Sequence, residues 1–139
     1  MKSLNFKSAL KSYAINGDEN NVIQVNTADV GIFERAAKAK SFLSDVRNKS
    51  EEIKNGDGKN AIEVLSELDK QVREQLNYIF GTDVSTPAFG TMNCLTFVDG
   101  VPVFVGFLNA LLEEITTDVT VEQKKAKDNI AKYVNQVKK

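Results

Sequence analysis

The chain has no histidine and no tryptophan, one cysteine and two prolines in 139 residues. Without histidine the commonest general base is missing, and with it the triads built on that side chain and most zinc sites. The lone Cys94 excludes an intramolecular disulfide, and with no histidine to activate it a papain-like centre is excluded as well. Within "TMNCLTF" it reads as a small buried apolar residue. Long apolar runs are also scarce. The longest, "VPVFVGFLNALL" from Val101 to Leu112, is too short to span a bilayer. The opening "MKSLNFKSALKSYAING" holds no continuous apolar stretch of the secretory type. These absences lead to the expectation of a soluble, intracellular protein.

Other candidate chemistry also fails on spacing. "NGDGKN" (55–60) has a Gly-Lys pair but not the full phosphate-loop pattern, and no apolar strand precedes it. "NGDENN" (16–21) offers oxygen side chains without calcium-loop spacing or its terminal glutamate. Glu113, Glu114 and Asp118 form an acidic group, but adjacent carboxylates do not share a helical face, and the group reads as solvated. The expectation is therefore a non-enzymatic protein with no catalytic residue, cofactor or metal.

The net charge is −1 but unevenly spread: residues 1–60 sum to +2, 61–120 to −7 and 121–139 to +4. The terminal lysines come without arginine and with one aromatic, Tyr133, so no nucleic-acid partner is expected. The same segment has neither Trp nor Phe to insert into lipid, so no membrane partner is expected either. A solvated lysine-rich helix is the plain reading.

What is present is mostly helical patterning in a single domain, 1–139. "SYAIN" and "VIQVN" flank the turn-rich "GDENN", which predicts a β-hairpin over 12–26 with Val22 facing away from the core. Thr27 or Asp29 can cap the next helix, whose face is Ile32, Ala36, Ala39, Leu43 and Val46. Residues 48–60 lose periodicity and read as an exposed, mobile loop. Ile62, Leu65, Leu68, Val72, Leu76 and Ile79 mark a second helix, ended by Gly81 as C-cap with Phe80 packed against it. "VDGVP" reads as a turn with Pro102 opening a helix, and Phe104, Phe107, Leu108, Leu111, Leu112 and Ile115 form its wide apolar stripe. Ala126, Ile130, Tyr133, Val134 and Val137 line a last amphipathic helix. The fold class is α+β, mainly helical, with the hairpin packed on four helices near 28–47, 60–80, 102–116 and 120–138: a helical body over 27–118 and a lysine-rich helix over 119–139.

Between the two strongest helices lies "NYIFGTDVSTPAFGTMN" (77–93), with two Phe-Gly pairs. Gly90 reads as opening a turn after Phe89, with Pro87 stiffening the approach. The order of a hairpin, a helix near "VNTADVGIFERAAKA", a helix into "VREQLNYIFGTDVSTPAFG" and then "FVGFLNALLEEI" resembles the tail assembly chaperones of long-tailed bacteriophages and prophages of Gram-positive bacteria. Their genes lie between the tail-tube and tape-measure genes. The resemblance covers about 27–115 and is carried by Phe80-Gly81, Gly90 and the Phe107-Leu108 helix; the lysine-rich tail departs from it. It implies a helper in the host bacterial cytoplasm that binds the tape-measure protein, or another tail protein, during assembly, and that self-associates into a homo-oligomer. Val84, Pro87, Phe89 and Met92 are then candidate partner contacts, while Phe80, Gly81 and Gly90 are structural. The alternative for the same loop is a connection that caps the core with Phe89 turned inward. Alternatives for the whole chain are a tail or connector subunit retained in the virion, and a host adaptor that uses its terminal helix as a partner surface.

Overall fold

Asn16 and Gly17 take positive φ (51° and 79°), the pair of left-handed residues that closes a tight hairpin. They join β1 (Leu10–Ile15) to β2 (Asp18–Asn26), antiparallel, with Tyr13 opposite Ile23 and a register irregularity between Ala14 and Ile15. The turn is shorter than the sequence reading and the strands are longer: two residues suffice to reverse the chain, which frees Asp18 to Asn21 for β2. The inner face buries Ile23 and Val25, while Val22 is exposed as expected.

The computed structural model describes the backbone of residues 1–53 and 58–137, and the side chains of 1–49 and 61–129. α1 (Gly31–Ile53) and α2 (Gly58–Phe80) occupy most of the segment read as a loop over 48–60. The correction has a simple cause: no Gly or Pro interrupts "NKSEEI", and helix formers outside a periodic apolar stripe still extend a helix that is already nucleated. Residues 54–57 of that expected loop lie outside the described residues. Asp29, and not Thr27, caps α1, its Oδ1 accepting the Gly31 N–H at 2.8 Å. Thr27 instead donates its N–H to the Ala9 carbonyl at 3.1 Å and is fully buried. Arg35 joins the start of α1 to the end of α2, donating to Asp29 Oδ2 and to the Ile79 carbonyl, both at 2.8 Å.

After α2 come a five-residue helix, α3 (Ser85–Phe89), and a two-residue hairpin, β3 (Phe97–Val98) with β4 (Val101–Pro102). Asp99 and Gly100, at φ 52° and 82°, repeat the turn chemistry of Asn16-Gly17. "VDGVP" is thus a turn, but Pro102 pairs with Phe97 in β4 instead of opening the helix. α4 (Val103–Val137) begins one residue later, its first N–H groups donating to the carbonyls of Thr96 (2.8 Å) and Cys94 (3.1 Å). Backbone carbonyls here replace the side-chain cap a helix start otherwise needs.

The helices expected at 102–116 and 120–138 are one. "TTDVTV" is β-branched and poorly helical in isolation, but Thr116, Thr117 and Thr120 donate their hydroxyls back to the carbonyls of Leu112, Glu113 and Thr116 at 2.8–3.0 Å. That satisfies their polar atoms without breaking the ladder. α4 is 35 residues long, about 50 Å. Among the described side chains of α4, Ile115 and Val119 are the last that are buried, and residues 120–129 are all exposed. Ala126 is among those exposed; Ile130, Tyr133, Val134 and Val137 lie outside the described side chains. The core gathers the inner face of the hairpin, the stripes of α1 and α2 and the first half of α4, with Ile32, Val72, Leu76, Ile79 and Ile115 at 0% exposure. Ile62 departs from the expected stripe of α2 and is exposed.

Candidate functional site

The two Phe-Gly pairs have one structural explanation. Phe80 and Phe89 both meet Phe107 of α4 edge to face, with ring centroids 6.3 and 5.5 Å apart, the arrangement favoured by aromatic quadrupoles. Each glycine then turns the chain away from that contact. Gly81 takes φ 74° and donates its N–H to the Asn77 carbonyl at 2.9 Å, a left-handed helix end. Gly90 takes φ 55° with ψ −125°, a combination that L side chains avoid.

The segment between them is held by one stripe of α2. Leu65, Asp69, Arg73 and Asn77 recur every fourth residue, so they stand one above the other on the helix. The Leu65 carbonyl accepts from Asn93 Nδ2 at 3.1 Å. Asp69 Oδ1 accepts the Cys94 N–H at 2.8 Å and, with Oδ2, the Arg73 Nε–H at 3.1 Å. Arg73 Nη2 donates to the carbonyls of Gly90 (2.9 Å) and Met92 (2.7 Å), and the guanidinium carbon lies 5.6 Å from the Phe89 ring centroid. Asn77 Oδ1 accepts the N–H groups of Val84 and Ser85 at 2.9 and 3.0 Å. Asp83 Oδ1 accepts the Thr86 N–H at 3.1 Å, which together with the Thr86 and Ser85 hydroxyls holds this carboxyl below its ordinary range. Sequence reasoning passed over this stripe. Its signal was the polar four-residue repeat Asp69, Arg73 and Asn77 beside the apolar one.

Of the candidate contact residues, Val84 is fully buried and Phe89 nearly so, while Pro87 is half-buried and Met92 exposed. Asn21 Nδ2 of β2 donates to the Pro87 carbonyl, tying α3 to the hairpin. Phe89 thus turns inward, and only Pro87 and Met92 of the four present surface. Cys94 is fully buried, and burial, with Asp69 alongside, pushes its thiol pKa far up. Of the acidic group, Asp118 pairs with Lys11 at 2.7 Å; that hydrogen bond lowers the carboxyl and raises the amine.

Apolar surface opens instead on both sides of α4. Between α1 and α4 lies a cleft of about 390 Å³ floored by Leu43, Ile79, Phe104, Val105, Leu108 and Leu112, with Lys40 and Arg47 at its edge. Between the hairpin and α4 lies a second, of about 570 Å³, reaching α3 and the β3–β4 turn; Asp99 and Glu114 are its charged residues. Among the described residues no helix is long and apolar enough to cross a membrane. Comparison with protein-family models, curated proteins and solved structures returned no match.

Proposed function

We propose that the chain is a non-enzymatic tail assembly chaperone that holds the tape-measure protein in the host bacterial cytoplasm until the tail tube forms around it. The reading rests on the resemblance carried by Phe80-Gly81, Gly90 and the Phe107-Leu108 helix, and on one observation, the cleft between α1 and α4. Half-buried Val105, Leu108 and Leu112 line it at helical spacing over a packed floor, the form of surface that accepts one face of an amphipathic helix. A long helical client offers such faces repeatedly, and Lys40 and Arg47 would steer acidic residues on its flanks. The contact role expected of Val84 and Phe89 passes, in this proposal, to α4.

Quantitative mass spectrometry of lysate and purified particles after prophage induction tests the class. An assembly chaperone is abundant in lysate and missing from particles. Many copies per particle would replace this reading with a tail or connector subunit. If no particles form while the protein is expressed, the host-adaptor reading takes over, and removal of 120–139 then abolishes partner binding while sparing the fold.

A further inference from the structure

The first nine residues, "MKSLNFKSA", form no helix or strand and leave their large side chains in water: Leu4 is 89% and Phe6 82% exposed. In an extended chain, residues two apart point to the same side, so Leu4 and Phe6 make a pair of apolar anchors. The arm's charged side chains, Lys2 and Lys7, are of one sign, and no acid lies between Lys2 and Asp18. The cleft between hairpin and α4 has the opposite character. Its walls are Tyr13, Ile15, Phe89, Val101 and Leu111, and its charged residues, Asp99 and Glu114, are both acidic.

A second feature singles out this cleft. Gly106 lies in it, inside α4, and a Cβ built there would meet nothing within 4 Å. A glycine inside a helix costs about 1 kcal/mol against alanine, and among the described residues no neighbour close to its Cβ position requires it. Its effect is to keep the cleft floor open.

We infer that the basic, apolar N-terminal arm of one copy docks in the hairpin–α4 cleft of a second copy, Leu4 and Phe6 filling it and Lys2 or Lys7 meeting Asp99 and Glu114. The chain leaves its own arm out of this cleft: no arm residue lines it, and Leu4 and Phe6 stay exposed, so the occupant assigned to it is the arm of a second copy. Each copy carries both an arm and a cleft, so exchange closes into a two-fold pair. The inference is independent of the client-binding reading, which uses the other side of α4.

The experiment is sedimentation equilibrium of the full chain, over about a hundred-fold range of concentration and at low and high salt, for wild type, Leu4→Ser/Phe6→Ser and Gly106→Leu. Wild type dimerises, more weakly at high salt. Each variant keeps the wild-type fold by circular dichroism, because Leu4 and Phe6 are exposed and a Cβ at position 106 meets nothing within 4 Å. Each dimerises at least about ten-fold more weakly, through lost anchors or a filled cleft. Carbodiimide cross-linking of mixed light and ¹⁵N-labelled copies then joins Lys2 or Lys7 of one isotope to Glu114 or Asp99 of the other. A monomeric wild type, undiminished association in both folded variants, or cross-links only within one copy would each overturn the inference.

Discussion

Replacing Arg73 with alanine removes two hydrogen bonds and an aromatic contact that tie the 77–93 segment to α2. The guanidinium donates to the Gly90 and Met92 carbonyls, holds both oxygens of Asp69 and lies against the Phe89 ring, with 19% of the side chain exposed. Hydrogen bonds to a charged donor contribute about 1.5–3 kcal/mol each when dry, but water can reach the Nη2 bonds, which reduces each to about 1 kcal/mol. The helical ion pair adds about 0.3–0.5 kcal/mol and the aromatic contact about 0.5–1 kcal/mol. Arg73→Ala therefore destabilises by about 3 kcal/mol, which lowers the melting point of a chain of this size by roughly 10 °C. Lysine keeps the charge without the planar fork, so Arg73→Lys recovers less than half of the loss. Thermal unfolding followed by circular dichroism gives the shift. Hydrogen exchange gives the location, because the Cys94 amide, bonded to Asp69, loses protection first. An Arg73→Ala melting point within about 2 °C of wild type would refute the role given to this stripe.

Alanine substitution has opposite signs at two glycines. Gly90→Ala forces a side chain into φ 55°, ψ −125° and costs about 1–3 kcal/mol, whereas Gly106→Ala, with open space around it, stabilises by up to about 1 kcal/mol; urea unfolding of both checks the pair. Asp29, held low chiefly by the Arg35 hydrogen bond, Asp83, held low by the Thr86 N–H, and Asp118, held low by Lys11, all have depressed folded-state pKa values. Their contribution is present above the unfolded value of 3.8 and lost as pH falls through the lower folded values. The urea midpoint therefore holds steady from neutral pH to the ordinary carboxylate range and falls below it, less steeply in Asp29→Asn; a fall already complete above that range contradicts the assignment. Cys94, fully buried with its thiol pKa raised, reacts with a thiol reagent only as the chain opens, so its labelling rate rises with urea in step with unfolding, where an exposed thiol's would be nearly independent of urea.

What was legible in the sequence was whatever had a period or a turn residue. The stripes from Ile32 to Val46 and from Leu68 to Ile79 are buried as read, and Gly81 ends its helix in the left-handed conformation the position requires. The misplacements fall where local propensity lost to context. Two helices were expected near 102–116 and 120–138, yet Thr116, Thr117 and Thr120 hydrogen-bond into the single helix that contains them. "NKSEEI" read as a loop because it lacks an apolar stripe, although helix continuation needs none. The surface of 81–93 was harder still. Val84 and Phe89 are drawn inward by partners at Asn77, Arg73 and Phe107; the inward Phe89 was open as an alternative, but nothing within 81–93 itself decides between the two. The cleft between α1 and α4 depends on how far apart two helices pack, which no spacing along either one encodes.

In the function proposed above, the α1–α4 cleft holds a helical tape-measure client. Its most direct test is co-expression of the tape-measure protein with wild type or with Leu108→Glu, at a half-buried cleft residue, reading the soluble fraction of the client and its co-purification with the chain. The expected client is soluble and co-purifies with wild type, and is insoluble with a Leu108→Glu protein that circular dichroism shows folded. A client that never co-purifies with wild type, or that is held equally well by folded Leu108→Glu, would contradict it.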